Sequence, residues 1–204
     1  MSNIILPNTN KLWKLGISLS LYSRDYDWYS HEQEFTKLGR AVHEYKYFKN
    51  ISEEQRSSLV GLCLDEAVGV LSITNDQQSV DFNACIAVPS NREIGHSLPE
   101  DLAQGLCQRF SWIRDYSASL IKNRPVTTLK NLTESERQIE LKGAYSIAKS
   151  NGFSGTRGFL IIDDIYGTGA TMREVCRTLK KSHPDIPRYV LTICHLRSVW
   201  SQQR

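Results

Sequence analysis

With 204 residues, a net charge of +3, 40% apolar and 23% charged residues, the chain suits one soluble domain with a small appendage. It has no run of about 18 apolar residues, which excludes a helical membrane span, and its start, Met-Ser-Asn-Ile-Ile-Leu-Pro, lacks the basic and long apolar regions of a signal peptide. Cys63, Cys85, Cys107, Cys176 and Cys194 are scattered in apolar contexts without a Cys-x-x-Cys, so reduced core thiols in a cytoplasmic protein are expected, not disulfides or zinc.

Residues 1–14 are polar and Asn-rich and are expected as a mobile start. Ile17 to Tyr22 alternate apolar and polar, which predicts a strand. Ser23 to Tyr29 predict a turn or strand pair. From Phe35 to Tyr47 the spacing of Leu38, Val42 and Tyr45 predicts a helix. Its end, Tyr45-Lys46-Tyr47-Phe48-Lys49-Asn50, is basic and aromatic and reads as a surface helix end with lysines on the negative end of the dipole. Ser52 and Gln55 form a capping box for a helix from about Glu53 to Val70, followed by a polar turn over Asn75 to Gln78. Ala84 to Val88 predict a buried strand, and Pro89-Ser90-Asn91-Arg92 a loop at its carboxyl end. Ser97 and Glu100 cap the next helix, with Pro99 in its first turn and Leu102, Leu106 and Phe110 inward.

Ala118 to Ile121 predict a short strand. The loop Lys122 to Asn131 is the most polar of the chain and holds Arg124, Thr127, Thr128 and Lys130. Thr133 and Glu136 cap a short helix carrying Arg137. Gly143-Ala144-Tyr145 then lead into a Gly/Ser-rich turn over Lys149 to Gly158. Phe159 to Ile162 are apolar without a break, as in a strand buried on both faces. Asp163 and Asp164 stand at its expected carboxyl end. After Ile165, Tyr166, Gly167, Thr168, Gly169, Ala170 and Thr171, the spacing of Met172, Val175, Cys176 and Leu179 predicts a helix over 170–182. Arg188 to Cys194 predict the last strand, with His195 just beyond it. Strands alternating with helices imply βαβ units and a mostly parallel sheet, whose ligands bind at strand carboxyl ends beside a switch point.

The acidic pair and the Gly/Thr loop carry the chemistry. A loop entering a helix N-terminus offers unpaired N–H groups and positive dipole to an anion. Two carboxylates beside it suit vicinal hydroxyls, or a metal brought by the ligand. A sugar with a 5′-phosphate and free 2′- and 3′-hydroxyls meets both halves. No Lys follows Gly169 as a Walker loop requires, and Met172 stands where the dinucleotide fingerprint needs its third glycine.

The run Asp163-Asp164-Ile165-Tyr166-Gly167-Thr168-Gly169-Ala170-Thr171 resembles the phosphoribosyl pyrophosphate (PRPP) signature of type I phosphoribosyltransferases, with Gly167 for the usual first Thr. Three more stretches are similar to the ComF family, the phosphoribosyltransferase-like proteins associated with DNA uptake: Tyr45-Lys46-Tyr47; Leu132 to Arg137 with Leu141-Lys142-Gly143-Ala144-Tyr145; and Ile86 to Pro89. Leu129 and Glu140 depart from that family's Gln and Asn, and the N-terminal cysteine cluster of many members is missing.

The resemblance implies an α/β three-layer fold of the type I phosphoribosyltransferase kind, with a hood over residues 1–50 and a core over 51–204. It implies Mg²⁺ carried by PRPP, with no direct protein ligand and with Asp163 and Asp164 reaching the ion only through its waters. Asp163 and Asp164 are expected on the ribose hydroxyls, Tyr166 to Thr171 on the 5′-phosphate, and Pro89, Ser90, Asn91 and Arg92 with Lys130 and Arg137 on pyrophosphate. The activity implied is transfer of phosphoribosyl to a nitrogen acceptor; no general base is assigned. Two other readings stay open: a PRPP- or nucleotide-sensing or nucleic-acid-associated protein of DNA uptake or defence, and a nucleotide-degrading effector. A nucleic-acid or protein partner and an oligomer are compatible with all of them.

Overall fold

The longest apolar run becomes the centre of the sheet. In a computed structural model, which describes residues 3–8, 10–26, 33–48, 50–78, 80–90, 97–126, 132–148 and 152–196, β1 (Ile4–Ile5) and β2 (Leu15–Leu21) open the chain. A hairpin follows, β3 (Ser23–Tyr26) with β4 (Gln33–Phe35), then α1 (Lys37–Tyr47) and α2 (Glu53–Gln78). Next come β5 (Ala84–Ala87), α3 (Leu98–Arg109), β6 (Arg114–Asp115), a 3₁₀ turn over Ser117–Ser119, β7 (Leu120–Lys122), α4 (Glu134–Leu141) and β8 (Tyr145–Ile147). The last elements are β9 (Phe159–Tyr166), α5 (Ala170–Ser182) and β10 (Arg188–His195).

Six strands form one sheet in the order β1-β2-β10-β9-β5-β6, parallel except for β1. Side chains alternate across it. Leu160, Ile162 and Leu191 pack with Leu38, Val42, Cys63, Leu102 and Leu106 of α1, α2 and α3. Phe159, Ile161 and Val190 pack on the other face with Met172, Val175, Cys176 and Leu179 of α5. The fold is thus α/β, with helices on both faces of a mostly parallel sheet. From β5 the chain crosses through α3 to β6; from β9 it crosses through α5 to β10 on the other side. The order reverses between β5 and β9, which makes the gap between their carboxyl ends the switch point.

Several expectations change. Residues 3–8 and 10–14 are not a mobile start. Ile4 and Ile5 pair with β2, while Leu6, Leu12 and Trp13 are buried, because their apolar surface covers the α5 face. β1 and β2 belong to the same sheet as β5, β9 and β10. Asn75–Gln78 form the end of α2 and not a turn; polar residues without Gly or Pro do not stop a helix. Phe35 belongs to β4, and Thr36 caps α1 through the N–H of Gly39. The strand expected over 118–121 starts at Leu120 and pairs with β8, which sequence reading missed, as it missed β6. The three capping residues Ser52, Ser97 and Thr133 do accept from Gln55, Glu100 and Glu136.

Candidate functional site

β9 outruns β5. Pairing with β5 ends at Ile162, whereas pairing with β10 continues through Asp163↔Thr192 and Ile165↔Cys194 to Tyr166↔His195. Asp163 and Asp164 therefore lie inside the strand, not at its end, on the stretch that no strand pairs on the β5 side among the described residues. A cleft of ≈ 970 Å³ opens over this step. Among the predicted residues it brings together Pro89, Ser90, Arg137, Asp163, Asp164 and Tyr166 through Thr171. Asn91, Arg92 and Lys130 lie outside the described residues.

The loop between β9 and α5 is fixed by its glycine. Gly169 has φ 77° and is the N-cap of α5, with no side-chain cap on the helix N–H groups. A Cβ there would sit 2.3 Å from the Tyr166 hydroxyl, so space and φ both demand glycine. The Tyr166 hydroxyl is buried and makes no hydrogen bond among the described residues. Arg173, itself buried in α5, donates to the Thr168 carbonyl (2.8 Å) and to Glu134 of α4 (2.8 Å). It holds the loop from behind and turns the open N-terminus of α5 to the cleft. Glu174 accepts from the Gly143 N–H (2.8 Å) and so ties the turn after α4 to the same helix.

The acid pair divides between two walls, as strand alternation requires. Asp164 meets α1, where Lys46 Nζ donates to its Oδ2 at 2.8 Å. This helix is placed by close contacts: a Cβ on Gly39 would meet the Tyr22 carbonyl at 1.7 Å, and the Tyr45 hydroxyl donates to Asp101 of α3 at 2.6 Å. Asp163 faces the wall built from β7, β8 and α4, where Lys122 and Tyr145 line the cleft. Burial pushes the Asp163 carboxyl up to about 7, the charge of Asp164 adds to this, and Lys46, the Asp164 N–H (2.9 Å) and Lys122 pull it back. Burial works against the charge of Lys46, but Asp164 outweighs it and the Lys46 pKa is raised. Burial lowers that of Lys122, with Asp163 opposing.

Sequence reading missed Lys46, Lys122, Tyr145 and Arg173 as site residues. The segment Tyr45-Lys46-Tyr47 carries part of the family resemblance and reads as a surface helix end, but neither reading assigns Lys46 a role in the site. Tyr47 and Phe48 are indeed more than half exposed, while Lys46 turns into the cleft. His195 is the last residue of β10 and not beyond it, with its ring 5.6 Å from that of Tyr166. Arg124 of the polar loop pairs with Glu140 at 3.1 Å.

Among the described residues no group of three or more His, Cys, Asp or Glu converges as a metal cage. Asp163 and Asp164 face different walls and so suit two separate contacts. Such a set fits a hydrated Mg²⁺ that arrives on a ligand and keeps most of its water. No helix among the described residues is long and apolar enough to cross a membrane. Comparison with protein-family models and with curated proteins finds no match to this chain.

Proposed function

We propose that the chain is a phosphoribosyltransferase of the type I kind, which binds PRPP with Mg²⁺ in this cleft and transfers phosphoribosyl to a nitrogen acceptor. The observation that supports this best is the meeting, at one switch point, of an uncapped helix N-terminus and two strand-borne carboxylates. The N–H groups of the Gly167–Thr171 loop receive the 5′-phosphate. Asp163 and Asp164 accept from the ribose hydroxyls, and Lys46 leaves Asp164 the lone pairs to do so. Ser90 and Arg137 face the pyrophosphate. Mg²⁺ on the ligand supplies neutralisation of pyrophosphate charge.

At ribose C1 the bond to pyrophosphate oxygen breaks and a bond to nitrogen forms, through an oxocarbenium-like state. Catalysis is then positioning and stabilisation of the leaving group's charge. The test is pyrophosphate release from PRPP and Mg²⁺ with nucleobases and simple amines as acceptors. Release above the no-acceptor blank, lost in Asp163→Asn and Asp164→Asn, supports the proposal. Binding without release makes the protein a PRPP sensor, free base released from nucleotides makes it a nucleosidase, and no binding of PRPP removes the reading.

A further inference from the structure

At the other end of the sheet, where β5 and β9 begin, a second cavity of ≈ 260 Å³ lies between residues 111–116 and the turn 154–157, with Asn83 in its lining. Its first wall is the turn at Ser111–Trp112 and the short strand β6 that follows it. Trp112, Arg114 and Tyr116 alternate along it and all line the cavity, while Ile113 between them is buried in the core. The Trp112 ring is backed by Phe82 and Phe110, each at 5.5 Å, yet 43% of the residue is exposed. The Tyr116 ring rests on Phe153 at 5.1 Å. Both rings are held from behind.

The second wall is a turn with Ser154, Gly155 (φ 75°), Thr156 and Arg157. Asn83 pins it to the start of β5, donating to the Gly155 carbonyl (3.0 Å) and accepting from the Arg157 N–H (2.8 Å). Asp115 accepts from the N–H and hydroxyl of Ser117 (2.8 and 2.6 Å), and Asp81 is matched by Arg157 Nε (2.7 Å). The Arg114 guanidinium has no hydrogen-bond or ion-pair partner among the described residues. An exposed, backed indole beside an unmatched guanidinium pairs a stacking platform with an anion donor.

We propose that this cavity is a second ligand site for a mononucleotide, with the heteroaromatic base laid on Trp112 and the phosphate held by Arg114 and Arg157 beside the hydroxyls of Ser154 and Thr156. The cavity is small and open, which suits one ring and one phosphate rather than a strand running through it. The proposal is independent of the chemistry at the carboxyl-end cleft, but a 5′-nucleotide can also enter that cleft, so the test must report position.

The experiment is photolabelling of the full chain with 8-azidoadenosine 5′-monophosphate, with the labelled peptides mapped by mass spectrometry. Label is expected within 111–116 or 152–157, competed by AMP, weakly competed by adenosine or inorganic phosphate alone, and undiminished in Asp163→Asn. Arg114→Ala and Trp112→Ala should each cut it by about tenfold or more, the scale of one lost stacking or ionic contact. Arg114→Lys and Trp112→Phe should keep most of it. All these positions are exposed, and circular dichroism checks each fold. Label confined to 163–172, no label at millimolar probe on folded protein, label that survives both alanine variants, or competition by an oligonucleotide and not by AMP would each overturn the proposal.

Discussion

The two walls of the carboxyl-end cleft treat neighbouring carboxylates differently. On the α1 side Asp164 has a lysine at 2.8 Å. On the β7–β8 side Asp163 feels the charge of Lys122, and burial pushes its pKa up to about 7. One acid is satisfied by the chain; the other is left costly in the free protein. A strand places adjacent residues on opposite faces, so the difference follows from which element each face meets. The costly carboxylate is the one a ligand has most to gain by satisfying.

Exchanging the acids one at a time should give the largest effects. On the proposed reading, Asp163→Asn and Asp164→Asn each weaken PRPP binding by about tenfold to a hundredfold in calorimetry, the worth of a charge-assisted hydrogen bond of ~1.5–3 kcal/mol. Their effects on the free protein at pH 8 should have opposite signs. Asp163→Asn raises Tm, because it removes a carboxylate that burial disfavours; Asp164→Asn lowers it, because Lys46 loses its partner. Folding raises the Asp163 pKa from 3.8 to about 7, so the folded chain holds that proton more tightly than the unfolded chain. The resulting stability is fully present below 3.8 and is lost as pH rises through about 7. The Tm gain of Asp163→Asn over wild type should therefore grow across that window. A gain that is flat with pH would break the contrast between the walls.

Next in size is the loop between the walls. Gly169→Ala should cost about 1–3 kcal/mol from positive φ and contact with Tyr166, or roughly 2–4 °C of Tm per kcal/mol. Gly167→Ala, whose Cβ would meet nothing closer than Leu196 at 3.8 Å, should stay within about 0.5 kcal/mol. Equal losses would mean that the loop is tight throughout.

The smallest effects sharpen the comparison most. Lys46 is partly exposed, so Lys46→Met should cost only about 1 kcal/mol, read from chemical denaturation. Lys122→Met should cost about 0.5 kcal/mol or less, since burial already disfavours its charge. Adding Asp164→Asn should cancel most of the Lys46→Met loss, because no charge is then left unmatched. Equal costs for the two lysines would mean that the walls do not differ.

The local part of this arrangement was legible in the sequence. Strand, acidic pair, glycine loop and helix are contiguous, and periodicity places each in turn. The reach of β9 to Tyr166 was not, because it depends on pairing with β10, and an Asp-Asp pair does not look like strand interior. Lys46 lies 118 residues from Asp164, and a lysine in the last turn of a helix has a sufficient local explanation in the dipole. Arg173 falls in α5 where spacing suggests a surface charge; its burial follows from the contacts with Thr168 and Glu134. The two-residue β6 and three-residue β7 and β8 are too short to show a period. For the same reason the alternation of Trp112, Arg114 and Tyr116 carried no weight before their shared side was known.

Arg173 has one further consequence. Its guanidinium touches the Thr168 carbonyl with one nitrogen and the Glu134 carboxylate with another, so the loop and α4 hang on the same group. Glu174, the next residue, holds the turn after α4 through Gly143. A movement of α4 that carries Arg137 into or out of the cleft must rotate about this anchor or break it. The loop and the wall facing it are thus both tied to α5, through the neighbouring side chains of Arg173 and Glu174.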